Sequence, residues 1–324
     1  MKFCIVGAGA IGGFVAARLA GAGHEVALVA RGPHLAALKR DGITVLEADG
    51  TRHTHRVAAH GHVSEAGPAD VVLLTLKAMQ LGPMAADLPN LFHDGTVVVP
   101  MQNGVPWWYF QRHGGEHEGL SLASVDPSGA LAAAIPAERI VGCVVYPASE
   151  IASPGVIRHV EGERLPLGEL DGTVTPRVEA ISRAFQDGGL KAPVLTDIRS
   201  EIWLKLWGNL TFNPLSALTR ATLDRICAEP LTRELAAAMM TEAALVAGRL
   251  GISFRVPIER RIEGASKVRG HKTSMLQDIE AGRPTELDPL LGSVIELARL
   301  TGSDVPNIRA VYACTRLLEA TVRQ

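Results

Sequence analysis

Several features are missing from this chain of 324 residues, and each absence narrows what it can be. No stretch of about 18 consecutive apolar residues occurs, so no segment is suited to crossing a bilayer. There is no block of like charge: the 32 basic and 34 acidic residues are scattered and nearly cancel. A nucleic acid or an anionic membrane surface needs a basic field, so neither is an expected partner, and a small molecule is. Cysteine is confined to Cys4, Cys143, Cys227 and Cys314, far apart and without a CxxC pair. That spacing excludes a disulfide framework and fits buried thiols in a reducing, cytoplasmic compartment. The N-terminal "MKFCIVGAGAIGG" has the lysine and apolar run of a leader, but glycines at 7, 9, 12 and 13 would break an insertion helix. Internal repeats and low-complexity tracts are absent as well.

What is present is enough apolar sequence, 47%, to bury more than one core, and the length favours two domains. The run "FCIV" (3 to 6), a glycine turn, a helical pattern from about Ala10 to Ala20 and "EVALVA" (25 to 30) make a βαβ unit. Further apolar runs at "VVLLTL" (71 to 76), "TVVVP" (96 to 100) and "IVGCVVY" (140 to 146) suit strands buried on both faces of a parallel sheet. After Thr196 the pattern turns helical, with glycine stops and few β-branched runs. The expected fold is thus an α/β Rossmann-type dinucleotide-binding domain over residues 1 to 196, followed by an all-α domain over 197 to 324. Residues 107 to 133 carry no clear period and read as a surface excursion.

The turn "GAGAIG", Gly7, Ala8, Gly9, Ala10, Ile11 and Gly12, fits GxGxxG with a strand before it and a helix after it. Gly7 allows the tight turn, Gly9 lets backbone amides approach a pyrophosphate, and Gly12 permits close packing of helix on strand. An NAD site ordinarily offers a carboxylate at the end of the second strand, but this chain has Ala30 and Arg31. A guanidinium there suits the 2′-phosphate of NADP, against the alternative of a solvated surface arginine. Lys77 and Asn103 follow "VVLLTL" and "TVVVP", at carboxyl ends of strands where ligands of open α/β sheets bind. Taken singly, Lys77 also reads as a helix-start lysine and Asn103 as an Asn-Gly turn former.

The stretch "WLKLWGNLTFN" raises a sharper question. At about 100° per residue, Lys205, Asn209 and Asn213 share one polar stripe on a helix otherwise rich in tryptophan and leucine. Pro214 disfavours helical geometry at Asn213, which places that residue at a kink or helix end. One reading is a snorkelling lysine with asparagines bonded to nearby backbone. The other is catalytic. Hydride delivered to a carbonyl carbon leaves charge on oxygen, which a lysine can protonate while amides position the substrate. Ser274 with Gln277 and Thr285 with Asp288 both match capping boxes, the second placing Glu286 in a first helical turn. An amide turn at Ser274 equally suits a carboxylate, and Glu286 can orient Lys205 if the fold brings them together.

Taken in order, "GAGAIG", "LLTLKAMQ", "QNG", "WLKLWGNLTFNPLSALT" and "TSMLQDIEAGRPTELD" resemble the ketopantoate reductase family over nearly the whole chain. The resemblance implies an NADPH-dependent reductase of a small 2-oxo acid, with its site in a cleft between a Rossmann domain and a helical domain. It implies Lys205 as general acid, Asn209 and Asn213 as substrate-binding amides and Ser274 as a substrate ligand. Glu286, Lys77 and Asn103 fall on positions near the cofactor, Asn103 beside the nicotinamide and the substrate, Glu286 also at the reactive centre. A homodimer is compatible with it. Three departures touch substrate contacts: the segment after "QNG" is long, Leu223 stands where some members have asparagine, and Tyr146 where histidine is frequent.

Other readings remain at this level: a reductase of a different 2-oxo acid, a dehydrogenase acting on an imine, or an NADPH-sensing regulator without turnover. Lys205 counts against the imine reading and Glu286, with Lys205, against the regulator. The histidines of "RHTHRVAAHGHV", at 53, 55, 60 and 62, have zinc-like spacing. Their polar surroundings favour a solvated hairpin, and no metal is expected.

Overall fold

The computed structural model describes residues 1 to 322, which fall into two compact units. The first opens with β1 (Lys2–Val6), α1 (Ala10–Gly21), β2 (Glu25–Val29) and α2 (Gly32–Asp41). β3 (Ile43–Leu46), β4 (Arg52–His55), β5 (Ala58–His60), α3 (Val63–Ala66), β6 (Val71–Leu74), α4 (Ala78–Leu81) and β7 (Val97–Pro100) follow. Five of these strands form a parallel sheet in the order β5-β2-β1-β6-β7. β6 and β7 are apolar throughout, and β1 is apolar after Lys2, because both faces of that sheet are covered. Strand order reverses at β1, so the loops leaving β1 and β6 lie side by side at the switch point, where ligands of such sheets bind.

The unit continues with α5 (Ala130–Ala134), β8 (Val141–Cys143), β9 (Ala148–Ser153), β10 (Val156–Glu161), β11 (Leu167–Glu169) and α6 (Pro176–Asp187). A second, four-stranded sheet has the order β4-β3-β10-β9. It packs on the face of α1 turned away from the parallel sheet. That double burial explains why α1, Arg18 apart, is apolar on all sides rather than amphipathic. It also explains the paired glycines: a Cβ on Gly13 would lie 2.7 Å from Ile157 of β10.

Two expectations for this unit are corrected. The run at 140 to 146 is not a full strand of the parallel sheet: β8 pairs antiparallel with β11, and a single bridge from Ile140 to Val98 ties it to β7. Gly142, lacking a side chain, lets the Trp108 ring press on β8, where a Cβ would be 2.8 Å from Cη2. Likewise, the segment from 107 begins in the core, not on the surface, since Trp107, Trp108, Tyr109 and Phe110 are all buried. Four consecutive aromatics carry too much apolar area to leave in water. The histidine segment divides: His53 and His55 lie on β4, hairpin partner of β3, while His60 ends the edge strand β5.

The second unit is helical: α7 (Ile198–Thr219), α8 (Leu223–Ala228), α9 (Pro230–Arg249), α10 (Ile258–Ser266), α11 (Ser274–Glu280), α12 (Ser293–Leu300) and α13 (Pro306–Val322). It begins at Arg199 and takes in two distant strips of chain, Asn103–Pro106 and Leu122–Pro127. Glu296 of α12 secures the second strip, accepting from the Ala123 and Ser124 amides at 2.8 and 2.9 Å and from the Ser124 hydroxyl at 2.6 Å. Contrary to expectation, α7 runs through Pro214 to Thr219, so Asn213 keeps its helical register. Proline inside a helix costs about 3 kcal/mol. Here the turns around it are fully buried, and their packing offsets that cost. All four cysteines are free, but Cys314 is exposed on α13, unlike the other three. Among the described residues, no helix is long and apolar enough to cross a membrane.

Candidate active site

At the switch point the three turn glycines have separate reasons to exist. Gly7 has a φ of +108°, and a side chain there would strike Leu76 at 2.8 Å. A Cβ on Gly12 would lie 2.0 Å from the Gly7 carbonyl oxygen and 2.4 Å from Thr75 Oγ1. That hydroxyl donates to the Gly7 oxygen at 2.5 Å, clamping the turn to the end of β6. Gly9 is different. Its φ of −68° suits any residue, and a Cβ would meet nothing within 4 Å. Packing within the chain therefore explains Gly7 and Gly12 but not Gly9.

A bare backbone at the N-cap of α1, ahead of the amides of Ala10, Ile11 and Gly12, fits the close approach of a dinucleotide pyrophosphate. No side chain caps this helix end; its first intrahelical bond runs from the Gly13 amide to the Gly9 oxygen at 2.8 Å. Ala8 is buried in the turn, its amide bonded to the Val29 oxygen of β2 at 3.2 Å. Arg31 follows β2, exposed, with no side-chain hydrogen bond or ion pair among the described residues. Lys77 opens α4, its backbone amide bonded to the Gln80 side-chain oxygen at 3.2 Å. Gln102 ties down the same edge by donating to the Leu74 and Leu76 oxygens at 2.6 and 3.0 Å. Its own Oε1 is buried without a hydrogen-bond partner among the described residues.

In the helical unit, three residues far apart in sequence meet. The half-buried Lys205 ammonium donates to Asn103 Oδ1 at 2.6 Å, and Asn103 Nδ2 donates to Glu286 Oε2 at 2.8 Å. The amide thus turns its oxygen to the cation and its nitrogen to the carboxylate, the only orientation that satisfies both. Backbone geometry enforces the meeting. Gly104, at φ +87°, lies so close to the Pro289 carbonyl that a Cβ would be 2.2 Å from its oxygen. That oxygen accepts from the Val105 amide at 2.9 Å and the Ser293 hydroxyl at 2.7 Å. Pro289 belongs to a π-helical turn, Asp288–Gly292, a deviation that recurs at functional sites.

Both capping boxes expected from sequence are replaced by other arrangements. Thr273, not Ser274, caps α11, its hydroxyl accepting from the Leu276 amide at 3.3 Å. Ser274 becomes the first helical residue and is exposed, its hydroxyl without an intramolecular bond among the described residues. Thr285 is held by Glu319 of α13, which accepts from its amide at 3.0 Å and its hydroxyl at 3.2 Å. Glu286 accordingly precedes the helical turn and is nine-tenths buried. At the first expected cap the preceding Thr273 supplied the hydroxyl instead, and at the second Thr285 itself met a carboxylate from 34 residues away. Neither outcome has a local sequence signal.

Asn213 is buried and Asn209 half-buried, and neither amide is hydrogen-bonded to the protein among the described residues. The reading in which they bond to nearby backbone therefore fails.

Comparison with known proteins identifies the family. Residues 3–172 match the family described as ketopantoate reductase PanE/ApbA, and residues 197–319 its C-terminal region. The chain belongs to the ketopantoate reductase family. It is 50% identical to the 2-dehydropantoate 2-reductase of Mesorhizobium japonicum, covering 98% of each chain. A candidate ketopantoate reductase from Ralstonia solanacearum MolK2, solved by crystallography, is 42% identical with a TM-score of 0.94, covering 99% of this chain and 98% of that one. D-mandelate dehydrogenase, solved with NADH and anilino(oxo)acetate, shares the fold at 22% identity and a TM-score of 0.84 over 99% of both. Membership makes the chain an oxidoreductase acting on CH–OH groups. Within this ketopantoate reductase family fold, Gly104, Pro289 and Glu319 are residues that sequence reasoning missed. Only the "QNG" glycine carried a signal, and it read as an ordinary turn.

Proposed function

We propose that the chain reduces 2-dehydropantoate (ketopantoate) to pantoate with NADPH, a step of pantothenate synthesis. The observation that carries this reading is the bonded series Lys205, Asn103 and Glu286. Bound, the reduced nicotinamide supplies the hydride. Lys205 gives a proton to the oxygen that gains charge and recovers it from solvent. Asn103 keeps the amine aimed, and Glu286 keeps Asn103 from rotating. Asn209 and Asn213, without hydrogen-bond partners among the described residues, offer amides to the polar groups of the substrate, and Ser274 offers a hydroxyl. The glycine turn holds the pyrophosphate on backbone amides, with Lys77 near by along the same sheet edge. The exposed Arg31 guanidinium, in a place without a carboxylate, favours the 2′-phosphate of NADPH over the free ribose of NADH.

A second 2-oxo acid is favoured by Leu223 and Tyr146, because each replaces a polar group with a bulkier or less basic one. NADPH oxidation measured with ketopantoate and a panel of 2-oxo acids separates the two. Turnover strongest with ketopantoate supports the first; strong turnover of another acid with weak turnover of ketopantoate replaces it. NADPH binding with no turnover of any would end the reductase reading.

A further inference from the structure

The roles assigned above leave the substrate's carboxylate without a cation, because Lys205 is committed to the carbonyl oxygen. We infer that Arg261 of α10 is the residue that binds that carboxylate. This rests on the 2-oxo acid reductase reading and deepens it.

The observation lies at Gly208, in the interior of α7, three residues after Lys205 and one before Asn209. Glycine in a helix interior costs about 1 kcal/mol relative to alanine. Something else must make a side chain unwelcome there. A Cβ on Gly208 would stand 2.5 Å from Arg261 Nη2, 3.3 Å from Cζ and 3.5 Å from Nε. The head of the guanidinium, not merely its stem, therefore occupies the place of the missing methyl and rests on the helix. Residues three apart are surface neighbours on a helix, so the guanidinium rests beside the Lys205 position, about one turn along α7. A 2-oxo acid carries its carboxylate one bond from the carbonyl carbon, so the group that binds the carboxylate has to neighbour the one that serves the carbonyl oxygen.

The surroundings suit a charged anchor. Trp207, stacked on Phe254 with ring centroids 4.0 Å apart, forms an apolar wall beside Gly208, and Arg261 itself is half-buried. A guanidinium fork matches both oxygens of a carboxylate at once, and does so more strongly where water is scarce. Gly208 and Arg261 then act as a pair: the glycine clears the space, and the arginine fills it with charge.

Steady-state kinetics of the full-length protein with NADPH and ketopantoate, or the 2-oxo acid the panel selects, tests this. Arg261→Gln should raise KM for the acid roughly ten- to a hundredfold, with kcat and the KM for NADPH changed far less. Its selectivity for the acid over the corresponding methyl ester should fall, and Arg261→Lys should recover part of the loss. Gly208→Ala should raise KM in the native background yet add nothing to Arg261→Gln. An unchanged KM in Arg261→Gln, or equal losses for acid and ester, would overturn the assignment. Should the glutamine variant fail to fold, the lysine and alanine variants decide: native KM values in both overturn it. If the native protein reduces no 2-oxo acid, the underlying reading falls instead.

Discussion

The turn after β1 offers a ligand backbone amides and the space that three glycines leave, all within six consecutive residues. Around α7 the proposed chemistry would fall to side chains gathered from residues 103, 205, 209, 213 and 286, with Arg261 alongside. In the function proposed here the first region binds and the second reacts, and the materials suit the tasks. An anion needs only fixed N–H groups and a close approach. A proton donor needs a titratable group whose direction is set by others. A backbone site is compact in sequence, whereas a site of oriented side chains has to be assembled by the fold.

The comparison breaks most visibly at Lys205. Lys205→Ala should lower kcat on the order of a hundredfold or more while NADPH affinity, read by fluorescence titration, stays near native. Unaltered turnover would remove the helical unit from the chemistry. Within the turn, Gly12→Ala and Gly9→Ala should part company. The first forces a Cβ to within 2.0 Å of a backbone oxygen and should destabilise the protein by about 1–3 kcal/mol in denaturant melts. The second should leave the melt unchanged but weaken NADPH binding; a native affinity would mean that nothing approaches Gly9. Arg31→Asp sharpens the cofactor assignment: KM for NADPH should rise far more than that for NADH, and equal changes would deny the guanidinium its role.

The smallest effect concerns thiols. Burial pushes Cys4 up to about 12 and raises Cys227 as well, and since the thiolate is the nucleophile, neither should react near neutral pH. Cys143 is buried too, and only Cys314 is exposed. A native thiol titration should therefore count one fast group, with the others appearing on unfolding. More than one would mean that the sheet core opens readily.

What the sequence displayed, and what it hid, follows the same division. The βαβ unit, the glycine turn and the polar stripe of α7 were legible because each depends on a local period or a contiguous motif. The partners of that stripe were not. Nothing near Thr285 announces that Glu319 will take its hydroxyl, and nothing near Gly208 announces a guanidinium from α10. Pro214 misled in the other direction: its local preference lost to the packing of a buried helix. The aromatic run from Trp107 was read as exposed because no period marked it, although four adjacent rings have few places to go but inward.

Membership of Asn103–Pro106 and Leu122–Pro127 in the helical unit bears on how this protein can be divided or recombined. A fragment starting at 197 would leave behind the acceptor of the lysine, the amide that meets Pro289 and the three donors that meet Glu296. Its sequence would be intact while its active constellation was not. Grafting a foreign second half onto this first half would likewise marry a new lysine to an old asparagine loop, so a working chimera has to exchange all three pieces together.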